Sequence, residues 1–146
     1  MSTTATTRVA ADADLFELIE PDRPLGRVRL LASYSPQADT HFWPRRRRCP
    51  LTAAAVQQIT LAARGTLWTW SYVNIPWRGV SAPSPVDGYA CGLVDLPEGP
   101  RVLGVLLGTQ DDWAIGDEMV GIALDFTSKD EQTRCLLAFQ RAQGGS

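Results

Sequence analysis

The second half of the chain is patterned for strands. Val56 to Ala62 and Gly65 to Val73 are rich in β-branched and aromatic residues, which suit a pleated, half-buried surface. Ala63-Arg64-Gly65 between them predicts a bulge or sharp bend. Tyr89 to Leu96 and Arg101 to Leu107 are two hairpin arms around the turn Pro97-Glu98-Gly99-Pro100. Ile115-Gly116-Asp117 leads into a strand over Glu118 to Phe126, and Cys135 to Phe139 is a last apolar strand. Pro76, Gly79, Pro83, Pro85 and Gly88 mark residues 74–88 as a long loop. About five strands, the first long and bulged, predict a small barrel of the OB type over residues 55–142.

The first third is patterned differently. Residues 1–13 are Thr/Ala-rich and predict a disordered lead-in. Leu15, Phe16, Leu18 and Ile19 suit a short amphipathic helix over Ala11 to Glu20, ending before Pro21. Gly26 to Tyr34 alternates arginines with Val28 and Leu30 and fits a strand or a helical turn. Ser35 to Thr52 has the Pro-punctuated irregularity of a ribbon or knuckle. The expected fold is mainly β: a helix and ribbon segment over 14–54, the five-stranded barrel over 55–142, and a tail over 143–146.

The ribbon segment has the outline of a zinc site without its chemistry. A structural zinc needs two closely spaced pairs of thiolates or imidazoles. Here the upstream pair position reads Ser35-Pro36-Gln37-Ala38, and the downstream one reads Cys49-Pro50-Leu51-Thr52. One thiol of four is present, so no metal is expected. His41 is the only histidine and lies eight residues from Cys49, which does not complete a site.

Composition narrows the function classes. The 146 residues are 45% hydrophobic and 21% charged, as in soluble globular proteins. No apolar run approaches the roughly 20 residues that span a bilayer. Cys49, Cys91 and Cys135 are odd in number and far apart, which fits a reducing, cytoplasmic setting rather than a disulfide framework. The net charge is −2, so nothing global favours nucleic acid. The basic residues are nonetheless local: 13 of 14 are arginines and four are consecutive, Arg45 to Arg48.

The order of segments resembles the acyl-CoA-associated OB-fold family catalogued as Domain of Unknown Function thirty-five. Its carriers are Phe42-Trp43-Pro44-Arg45 with Cys49-Pro50, then Arg64-Gly65-Thr66-Leu67-Trp68-Thr69-Trp70-Ser71. The hairpin from Gly92 to Gly104 and the turn Ile115-Gly116-Asp117-Glu118-Met119-Val120 complete the set. The resemblance covers about Leu15 to Ala142. It implies a rubredoxin-like ribbon, degenerate here, before the barrel. It also implies a non-catalytic accessory subunit beside a thiolase-like acyl-CoA enzyme, in a hetero-oligomer, with a CoA thioester as candidate ligand.

Candidate contact residues follow. Arg45, Arg46, Arg47 and Arg48 suit the phosphates of CoA or an acidic partner face, because guanidinium groups pair with phosphate bidentately. The same run also reads as a solvated loop. Trp68 and Trp70 are two apart and should share one strand face with Tyr72, as a stacking surface or as core. Trp43, and Trp77 with Arg78 in the long loop, sit in irregular segments where large aromatics often mark contacts. Asp111, Asp112, Asp117 and Glu118 read as a solvated turn. No nucleophile–base set or Gly-rich phosphate loop is present, so no catalytic residue is assigned. The alternative function is a nucleic-acid-binding OB module, and a lone enzyme is the weakest reading.

Overall fold

The structure is a computed structural model and describes residues 9–73, 89–108, 112–127 and 133–142. Ten strands run in chain order: β1 (Val9–Ala10), β2 (Phe16–Leu18), β3 (Val28–Ser35), β4 (Thr40–Phe42), β5 (Gln57–Ala62), β6 (Arg64–Val73), β7 (Tyr89–Asp95), β8 (Arg101–Leu106), β9 (Glu118–Thr127) and β10 (Thr133–Arg141). In the larger sheet β6, β7, β8, β10 and β9 pair in that order, and β9 pairs back onto β6. The ring closes, so these five strands leave no open edge of their own. The expected OB-type barrel is therefore present. The predicted hairpin is β7–β8, its turn closed by the Leu96 and Gly99 amides, with Gly99 at φ 120°.

The N-terminal third forms a second sheet in which β3 pairs with β2, β4 and β5. The helix expected over Ala11 to Glu20 is not formed. Phe16, Glu17 and Leu18 instead pair with Leu30, Arg29 and Val28. Phe16 is buried, and Leu15 and Leu18 pack on the same core. Apolar residues in this stretch serve a sheet, and tertiary pairing overrides their helical spacing. Val9–Ala10, assigned to a disordered lead-in, pairs in parallel with Arg134 and Cys135.

The predicted bend at Ala63 is the hinge between the sheets. β5 ends at Ala62 on the small sheet and β6 starts at Arg64 on the barrel. The Ala63 carbonyl accepts from the Gly121 amide at 2.6 Å, and the Ala123 amide donates to Gly26 at 2.9 Å. A side chain at Gly121 would meet the Ala63 Cβ at 2.5 Å. Phe16, Val28, Leu30 and Leu61 from the small sheet join Leu67, Val94, Val102, Met119 and Phe139 of the barrel in one core. Among the described residues no helix is long and apolar enough to cross a membrane.

Candidate functional site

The arginine segment leaves β4 and runs across the small sheet. Its four side chains divide in two. The Arg45 guanidinium donates to the carbonyls of Ala32 and Ile59, at 3.3 and 3.2 Å. Arg48 donates to the Ala53 carbonyl at 3.2 Å. These two fasten the segment to β3, β5 and the following turn. The Arg46 backbone is held as well. Its amide donates to Ser33 Oγ at 2.9 Å, and its carbonyl accepts from Gln58 Nε2 at 2.9 Å. Ser33 and Gln58 are themselves joined at 2.9 Å. The exposed side chains of Arg46 and Arg47 are thus presented from a fixed backbone, and neither pairs with another described side chain. Asp14, Pro44, Arg45, Arg46, Arg47 and Gln58 line an open cleft of about 390 Å³ there. Two mobile cations on an immobilised main chain can pair with an anion, with only their own rotamers left to order.

Trp43 is a fastener in this structure. Its indole N–H donates to the Leu15 carbonyl at 3.0 Å, and its ring packs on the core. His41 lies against the Tyr34 ring, with centroids 4.8 Å apart. Tyr34 donates to Asp39 at 2.6 Å, and that bond raises its pKa.

Trp68 and Trp70 do not share a face. Leu67 opposes Val94 and Thr69 opposes Leu93, so Trp68 is an inserted residue in β6. The extra residue resets the alternation of side chains. Trp70 opposes Gly92 and turns onto the core, edge-on to Trp113 at 5.9 Å. Trp68 is 47% exposed on the outer face. The continuous aromatic stripe that suggested base stacking does not exist. Trp77 and Arg78, with the loop 74–88, lie outside the described residues.

Two turns flank the arginine segment, and sequence spacing alone had singled them out. In the first, the Ala38 amide donates to Ser35 Oγ at 3.2 Å, and Asp39 has φ 49°. In the second, the Ala53 amide donates to the Cys49 carbonyl at 2.8 Å, and Ala53 has φ 59°. Cys49 is 2% exposed and Ser35 is fully buried. Hydrogen bonds from the Ser35 and Thr52 hydroxyls, then from the Leu51 and Thr52 amides, bring the Cys49 thiol down to about 7 against the opposing effect of burial. The thiols of Cys91 and Cys135 have no such setting. Burial pushes the Cys91 pKa up, and Cys135 bonds to Asp125 at 3.2 Å. Asp117 accepts from the Ala114 amide and Glu118 pairs with Arg64, so these carboxylates act in turn and strand.

A model of the ChsH2 C-terminal OB-fold domain matches residues 58–121. Over those residues the chain is similar to this DUF35-type OB-fold family. The ChsH2-type match begins in β5 and ends in β9, across the hinge at Ala63. Among solved structures, a chain of the Ltp2-ChsH2(DUF35) aldolase is similar at a TM-score of 0.60 and 25% sequence identity. The likeness covers 78% of this chain and 85% of that one, well beyond the ChsH2-type match. No curated protein matches the sequence.

Proposed function

We propose that this chain is a non-catalytic accessory subunit of an acyl-CoA-processing enzyme that makes or breaks carbon–carbon bonds, thiolase-like in fold. The observation that carries the reading is the chain-long likeness to a component of an aldolase whose name joins Ltp2 with ChsH2. Aldol cleavage is carbon–carbon bond chemistry, and the name pairs a DUF35 component with a second one. The described residues fit a supporting role: the single histidine is packed on Tyr34, and the carboxylates are paired or in turns. In this reading Arg46 and Arg47 meet the CoA phosphates or an acidic rim of the partner, and the hetero-oligomer completes the CoA site.

Co-expression with a thiolase-fold enzyme tests it. Co-purification as a stoichiometric complex, and a rise in melting temperature of that complex with CoA thioesters, are expected. A chain that stays alone and ignores CoA thioesters in every such pairing defeats it.

A further inference from the structure

We infer that the outer edge of β5 takes a strand from a partner protein, an extended segment whose carboxylates meet Arg46 and Arg47. The inference names a contact for the accessory-subunit reading and rests on that reading only for the partner's identity.

The hydrogen-bond directions of β3 decide what β5 leaves open. The Ile19 amide donates to the Arg27 carbonyl at 3.0 Å, and the Leu31 amide donates to the Leu15 carbonyl at 3.0 Å. The main-chain groups of Arg27, Arg29 and Leu31 therefore face the β2 side. Adjacent residues of a strand send theirs to opposite sides, so Leu30, Ala32 and Tyr34 face β5. Their partners there are Leu61, Ile59 and Gln57. Arg45 agrees with this assignment, because it reaches the carbonyls of Ala32 and Ile59 together, as carbonyls in the gap between the two strands allow. The amides and carbonyls of Gln58, Thr60 and Ala62 are left pointing away from β3. Among the described residues β5 pairs with β3 alone, and the side chains of Gln58, Thr60 and Ala62 are exposed.

Nothing in β5 itself blunts this edge. Natural edge strands are guarded by charge, proline, a bulge or short length. Gln57-Gln58-Ile59-Thr60-Leu61-Ala62 has neither charge nor proline, and all six residues pair with β3 without a register shift. The charge lies beside the edge instead. Gln58 Nε2 donates to the Arg46 carbonyl at 2.9 Å, and Gln58 lines the cleft shared by Arg46 and Arg47. Asp14 is the carboxylate that faces them there. A strand laid along β5 thus meets two cations at its Gln58 end, carried on a backbone that is already fixed. In strand addition of this kind main-chain pairing supplies affinity and flanking side chains supply the choice of partner. Two arginines choose an acidic segment.

The probe is a synthetic peptide of alternating valine and threonine, blocked at both ends, with two glutamates at one end. Hydrogen exchange read by NMR should show the Gln58, Thr60 and Ala62 amides slowed about tenfold or more on peptide binding. The Gln57, Ile59 and Leu61 amides, already bonded to β3, should not change. The same peptide with lysines for glutamates should protect nothing. Thr60→Pro removes an outward amide only, which an edge strand tolerates, so it should melt within a few degrees of the parent and lose the peptide. Ile59→Pro removes a ladder bond and should destabilise strongly. Equal damage from the two prolines overturns the edge assignment, and equal protection by the lysine peptide overturns the acidic partner. A concentration-dependent dimer that protects the same amides also overturns it, by making a second copy the occupant. A thiolase-fold enzyme that co-purifies equally with Thr60→Pro and with the parent leaves the accessory-subunit reading standing and overturns this one. Edge protection by the peptide without any such complex does the reverse.

Discussion

The Arg101 guanidinium lies 3.6 Å above the centre of the Trp68 ring, and Asp95 holds it there at 2.6 Å. Trp68 is the inserted residue of β6, so this stack sits on the outer wall of the barrel while Trp70 turns inward. The two tryptophans should respond oppositely to truncation. Trp68→Ala should change stability by about 1 kcal/mol or less, as exposed substitutions do. Trp70→Ala should cost about 3 kcal/mol through the cavity it leaves against Trp113. Denaturant midpoints at unchanged slope check both. Equal losses would mean that the bulge does not separate their faces.

How far these features could be read from sequence depends on how local their causes are. Pro97-Glu98-Gly99-Pro100 names its own turn, so the hairpin was legible. So were the two prolyl turns at Ser35 and Cys49, because ligand spacing is a local pattern. The stretch Leu15-Phe16-Glu17-Leu18 misleads: its apolar residues satisfy a helical spacing, yet their partners are in β3. The insertion at Trp68 has no local signature, since it is fixed by which residues of β7 lie opposite. The division of the arginines was likewise illegible, because the carbonyls that take Arg45 belong to β3 and β5.

Glu20 carries an expected pH dependence. The Arg27 amide, the Arg27 guanidinium and Arg23 hold its carboxyl at about 2, below its usual 4.5. A carboxylate depressed on folding stabilises above its unfolded value and loses that contribution as pH falls through the folded one. Glu20→Gln should therefore lower the melting temperature at pH 7. The gap between variant and parent should shrink from about pH 4.5 downward and close near pH 2. Salt should narrow it, because all three side chains are at least partly exposed. A gap of constant size from pH 7 to pH 2 would assign the effect to shape rather than charge.

The four consecutive arginines should separate into two phenotypes. Arg45→Ala removes two ties from the arginine segment to carbonyls of the β3–β5 ladder, so it should lower the melting temperature by several degrees. Arg46→Ala with Arg47→Ala should leave melting unchanged while weakening CoA-thioester or partner binding, with a reduced salt dependence. Differential scanning fluorimetry and titration calorimetry on the assembled complex distinguish the two. If the Arg46/Arg47 double variant binds normally, the cleft beside Pro44 is not the contact.

The hinge at Ala63 makes the sharpest demand on a single backbone position. β9 passes so close to Ala63 that a methyl group at Gly121 would sit 2.5 Å from the Ala63 Cβ and 3.3 Å from a Val28 methyl. The first neighbour is attached to the backbone and cannot swing away, so Gly121→Ala must move one strand against the other. Overpacking of this kind costs about 1–3 kcal/mol. Ala63→Gly alone should also destabilise, since it removes a buried methyl group and loosens the chain. Together they should not add, because the second substitution removes the atom that the first one strikes. A double-mutant cycle by urea denaturation should give the pair a stability above the sum of its singles. Simple additivity would show that the small sheet and the barrel do not meet at this point.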